Sequence, residues 1–119
     1  MQFKLLITFL FCIAGFVSYA QTSKELIGKW KLVSETKDGV VKTPKDTYQV
    51  FVEGGEFKGI NGDNSRKGKW KLSDDNKKLT IKISIISLTF TVDYFDSKKR
   101  IISNDKTGSL EYEKVYLLN

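Results

Sequence analysis

The 119-residue chain contains no histidine and only one cysteine, one proline and one methionine. Each scarcity removes a class of chemistry. Without histidine there is no imidazole base, no Cys/His zinc site and no His-dependent nucleophile. A lone cysteine closes no intrachain disulfide. The sequence also has no Gly-rich phosphate loop and no nucleophile motif, and outside its first residues it shows no sustained 3.6-residue apolar period. Helical bundles, zinc modules and disulfide scaffolds are therefore set aside.

The one long apolar run, from Leu5 to Val17, follows Lys4, the only charged side chain before Lys24. Ser18-Tyr19-Ala20 then places small residues at the positions a signal peptidase reads. A basic start, an apolar middle and a small-residue cleavage site predict a cleaved signal peptide over 1–20. The run falls short of the ~20 apolar residues that span a bilayer. Leu10-Phe11-Cys12 lacks the small residues that lipid attachment needs, so Cys12 leaves with the leader. The expected product, 21–119, is secreted or periplasmic, with no transmembrane span. It has no cysteine, which suits an oxidising compartment, and its length makes a single domain with one core.

Within that domain the pattern is alternation. Thr22-Ser23-Lys24-Glu25 has capping-box spacing and starts a short helical turn, which Gly28 ends. Period-two segments follow at Lys29–Glu35, Thr47–Val52, Glu56–Asn61, Gly68–Leu72, Lys78–Ser84, Ser87–Phe95, Arg100–Asn104 and Ser109–Leu118. Turn signals separate most of them, including Gly54-Gly55. Short strands at this spacing predict an all-β sandwich or barrel, and the sequential hairpins favour an eight-stranded antiparallel up-and-down barrel with a short N-terminal helical turn. The phase of the apolar set changes between Ile85 and Ile86, which predicts a turn or bulge there. The one long connection, Thr36–Asp46, carries Asp38-Gly39 and the sole proline, Pro44.

Leu26-Ile27-Gly28-Lys29-Trp30-Lys31-Leu32 resembles the first motif of the lipocalins, a helical turn and then Gly-x-Trp opening the first barrel strand. Gly68-Lys69-Trp70-Lys71-Leu72 repeats Gly28–Leu32 identically, as in the small secreted lipocalin-like domains common in Bacteroidetes, which the chain resembles over nearly all of 21–119. Tyr112-Glu113-Lys114-Val115 is similar to that family's last strand. The resemblance implies that Gly28 lets the turn pack closely, that Trp30 plugs the barrel base, and that a basic side chain, Lys114 or else Arg100, lies across the Trp30 ring. The chain departs from full lipocalins in its shortness and in lacking a C-terminal helix and a disulfide.

If Trp30 points inward, alternation assigns an inner set. Trp30, Leu32, Tyr48, Val50 and Phe57 come from the first half, and Trp70, Leu79, Ile81, Phe90, Val92 and Tyr94 from the second. These are the expected ligand-lining residues, in an interior that eight strands either fill or open for one small ligand. Lys29, Lys31, Lys58, Lys69, Lys71, Lys82 and the Lys98-Lys99-Arg100 run are expected outside, where lysine discourages strand-edge aggregation. The net charge of +6 without interleaved aromatics on that face argues against nucleic acid. The candidate acids Asp93, Asp96, Glu111 and Glu113 form no recognisable catalytic set; Tyr112 between the last two points inward and leaves them outside.

The expectation is therefore an exported, lipocalin-like binding protein, monomeric and non-catalytic, with no metal or other cofactor. Its partner is a small hydrophobic molecule. The alternative is a structural or interaction domain of the cell envelope, with a filled barrel and an envelope protein as partner.

Overall fold

The computed structural model describes residues 22–116. The expected leader, with Cys12, lies outside the described residues. One turn of helix, α1 (Thr22–Leu26), precedes nine strands: β1 (Gly28–Lys37), β2 (Val40–Lys42), β3 (Thr47–Val52), β4 (Glu56–Asn61), β5 (Asn64–Leu72), β6 (Lys78–Ile83), β7 (Ile86–Phe95), β8 (Lys99–Asn104) and β9 (Gly108–Val115).

Every hydrogen-bonded strand pair is antiparallel. The order β1-β3-β4-β5-β6-β7-β8-β9 returns to β1 through a β1–β9 pairing that sets Trp30 opposite Lys114 and Leu32 opposite Tyr112. The expected closed eight-stranded barrel is thus present. Closure pairs the strands that would otherwise be sheet edges. The ninth strand, β2, stands outside the ring. It folds back on β1 through Asp38-Gly39, both with positive φ (52° and 79°), the geometry of a tight two-residue hairpin. The long connection Thr36–Asp46 therefore contains a short exposed flap.

Two other turns are tighter than the sequence suggested. Asn61 pairs with Asn64, so β5 starts at Asn64 rather than Gly68. Ile83 pairs with Ile86, so the phase change expected near Ile85 is a turn at Ser84-Ile85.

Up-and-down connectivity sends successive turns to opposite ends. The base carries α1 and the turns after β3, β5 and β7; the mouth carries the β1–β2 flap and the turns after β4, β6 and β8. Leu26, Trp30, Phe51, Leu79 and Ile102 are almost wholly buried, and burial of each such side chain is worth about 1.5–3 kcal/mol. Phe51 meets Phe57 and Trp70 edge-on, at 5.2 and 5.7 Å between ring centres. The second Gly-x-Trp has its own steric reason: a Cβ on Gly68 would lie 2.3 Å from the Lys82 carbonyl oxygen. Only glycine lets β5 approach β6 this closely.

Candidate functional site

Trp30 organises the base. Its indole Nε1 donates to the Leu26 carbonyl at 2.9 Å, tying α1 to the barrel. Lys114 places Nζ 4.7 Å from the ring centre and donates to the carbonyls of Glu25 (2.9 Å) and Ile27 (2.7 Å). Burial and the nearby Arg100 charge lower the Lys114 pKa, while Glu25 raises it, with burial the largest effect. Gly28 has φ of 129°, and a Cβ there would lie 2.9 Å from Lys114 Cε. Gly28, Trp30 and Lys114 therefore interlock. Arg100 joins them, with Cζ 5.0 Å from the Trp30 ring centre, so both candidate cations contact the indole.

Arg100 had two expected places, the outer surface with Lys98 and Lys99 and, as the alternative to Lys114, the Trp30 ring. It is 1% exposed and points into the barrel, beside that ring. The cause is alternation: Arg100 lies two residues before the fully buried Ile102 and opposite Tyr112. Its guanidinium sits among the rings of Trp30, Phe51 (4.8 Å) and Tyr112 (4.2 Å). Nη2 donates to Gln49 Oε1, but among the described residues Nε and Nη1 have no hydrogen-bond partner. Among the described residues it makes no ion pair. Burial pulls its pKa down to about 9.

Toward the mouth the interior widens. A cavity of about 600 Å³ is lined by Phe57, Ile81, Ile83, Leu88 and Phe90, with Gln49 and Tyr112 beside them. Thr47, Asn61, Asn64, Ser65 and Arg66 also line it, at the mouth end of their strands. Val40, Val41, Ile85 and Ile86 are exposed at the same end of the barrel.

Of the expected lining set, Phe57, Ile81 and Phe90 do line the cavity. Trp30, Leu32, Trp70, Leu79 and Val92 point inward but belong to the packed core around and below it. Three expectations need correction. Tyr48 and Val50 pair with Lys31 and Lys29 on the face opposite Trp30, while Gln49 and Phe51 turn inward. Tyr48 still borders the cavity, but its ring lies 4.4 Å from Lys29 Nζ. The apolar residues of β3 occupy both parities, and the fit of Phe51 against Phe57 and Trp70 decides between them. Tyr94 is turned out by a bulge between Val92 and Tyr94. It is 47% exposed, and Phe95 takes the inner place, 5.8 Å from Trp30.

The candidate acids are dispersed on the outside. Glu111 faces Lys99 at 3.6 Å, and Asp93 and Glu113 are exposed. Asp96 caps the β7–β8 turn, accepting from the Lys98 and Lys99 amides (2.8 and 2.7 Å) and the Tyr94 hydroxyl (2.6 Å). The Tyr94 hydrogen bond is the main cause holding its pKa below the usual carboxylate range. Among the described residues no group of three or more His, Cys, Asp or Glu side chains is placed to hold a metal, and no helix is long and apolar enough to cross a membrane.

Gln49, Arg66 and Glu35 are polar residues that sequence reasoning missed, and for Arg100 it offered the Trp30 contact but not the burial among three rings. Glu35 reaches the inner side, opposite Leu110, because a bulge between Leu32 and Ser34 resets the parity of β1. Its charge acts on Tyr112, whose phenol is pushed up to about 12, chiefly by burial. A raised phenol pKa makes stability fall as pH rises from the unfolded value near 10 toward 12. In an absorbance titration at about 295 nm, one tyrosine should therefore ionise last. Tyr112→Phe should remove that final step; if the step survives, the ring is not buried as described.

A closed antiparallel barrel, a Gly-x-Trp at its base under a basic side chain, and a cavity at its mouth define a lipocalin-like fold. Two solved structures share it: a lipocalin-like protein from Bacteroides uniformis (TM-score 0.67) and an uncharacterized protein from Bacteroides eggerthii (TM-score 0.64). Each is 18% identical over 76% of this chain and 99% of the other. No family model matches the sequence, and no curated protein matches it.

Proposed function

We propose that the protein is an exported, non-catalytic, monomeric binding module that holds one small, largely apolar molecule in the mouth half of its barrel. The observation that carries this reading is the cavity of about 600 Å³, within the range typical of small-molecule sites. Its deeper wall is apolar, with Phe57, Ile81 and Phe90, and its rim is polar, with Thr47, Asn61, Asn64, Ser65 and Arg66. The dispersal of Asp93, Asp96, Glu111 and Glu113 over the outer surface supports a non-catalytic role. The leader-like residues 1–20 support export, and protein recovered from its native host should begin at Gln21.

Binding is tested directly. Native mass spectrometry after exposure to a lipid extract should show one bound molecule per chain. Leu88→Trp, which adds bulk inside the cavity, should abolish most of that binding while leaving the far-ultraviolet spectrum intact. A wild-type chain that takes up nothing across a broad extract overturns the proposal.

A further inference from the structure

Arg100 is a buried cation with unfinished hydrogen bonding. Its residue is 1% exposed, and among the described residues its Nε and Nη1 are unpartnered and no carboxylate pairs with it. A buried charge without a counter-ion is unfavourable, and the three surrounding rings offset only part of that cost. Its one hydrogen-bond acceptor is the neutral amide oxygen of Gln49.

Gln49 and Tyr112 both touch Arg100, and both line the cavity. The guanidinium therefore lies one side chain behind the cavity wall. Tyr112 keeps its proton well above neutral pH and is available as a donor, and no protein group among the described residues accepts from it. Ahead of these polar groups the lining is Ile81, Ile83, Leu88 and Phe90.

From this arrangement we infer that the ligand is an amphipathic carboxylate whose head group is drawn inward to Arg100. The carboxylate takes the place of Gln49 Oε1 as acceptor from the guanidinium, and the displaced Gln49 amide and the Tyr112 hydroxyl donate to it. The aliphatic tail lies against Ile81, Ile83, Leu88 and Phe90. Arg66 also lines the cavity, at the mouth, but it is exposed to water, where an ion pair is worth little. Glu35 acts on Tyr112 and makes no ion pair with Arg100 among the described residues, so the guanidinium stays free for an external anion.

The inference rests on the binding reading above, and the two fail differently. Calorimetry with dodecanoate, dodecanol and dodecylamine at neutral pH separates them. Dodecanoate should bind about tenfold to hundredfold more tightly than dodecanol, the gain expected from charge-assisted hydrogen bonds, and dodecylamine most weakly. Arg100→Met should remove that preference while dodecanol binding persists. Gln49→Glu supplies an internal carboxylate to Arg100. It should raise the melting temperature and also cancel the preference for dodecanoate, which keeps the test decisive should Arg100→Met not fold. If acid and alcohol bind equally, the charge selectivity is wrong and the cavity reading stands. If neither binds, both are wrong. If Arg66→Ser alone removes the preference, the head group sits at the mouth and the inference is overturned.

Discussion

Trp30→Ala should lower the stability of the barrel by about 3–5 kcal/mol, the usual cost of deleting a fully buried large aromatic. That is a large fraction of the roughly 5–15 kcal/mol holding a domain together. The indole fills the base with no exposed surface. It also holds α1 through its bond to Leu26 and contacts both Lys114 and Arg100. Alanine leaves a cavity and strips two cations of an aromatic neighbour. Urea unfolding followed by circular dichroism measures the loss, and Trp70 remains as a fluorescent reporter. An unchanged midpoint would falsify the placement of Trp30 in the core.

The second large effect separates two neighbours in β3. Phe51→Ala should cost about 3–5 kcal/mol, because the ring is buried against Phe57, Trp70 and Arg100. Val50→Ala should cost much less, since Val50 sits on the outer face beside Lys29. Thermal melts of the two variants settle the strand's orientation. If Val50→Ala proves the more damaging, β3 is turned the other way and Gln49 no longer reaches Arg100.

That pair also shows where the sequence stopped being informative. Where the apolar residues alternate cleanly with polar ones, as in Leu79-Thr80-Ile81, one face is marked and its burial follows. Tyr48-Gln49-Val50-Phe51-Val52 is apolar on both parities, so only packing against neighbouring strands selects a face. At Tyr94 the alternation itself misleads, because a bulge inserts a residue and exchanges the places of Tyr94 and Phe95. The repeated Gly-x-Trp was legible because its constraint is local: Trp30 needs a deep site, and Gly28 and Gly68 stand where a side chain would collide.

The candidate site was harder to read because its polar members look like ordinary surface residues. Arg100 follows two lysines and resembles part of a solvated run. Its only local signal is its two-residue spacing from Ile102, which places both on one face of β8. Gln49 was hidden by the larger apolar neighbours that seemed to own the inner face. The cavity is a volume left over after distant strands meet, a property that no single segment encodes.

Pairing β9 with β1 has a consequence for how the chain is made. The first strand of the ring finds its last neighbour only when residues up to Val115 have emerged. Until then the meander is an open ribbon with bare borders, and completing it requires contacts between opposite ends of the sequence, which are slow to form. Synthesis or transport that delivers the chain from its amino end therefore holds Trp30 without its Lys114 cover until the last moment. The same seam sets Lys29 beside Val115, so a circularly permuted chain, joined from the end of β9 to the start of α1 and opened at Gly62-Asp63, retains every strand neighbour.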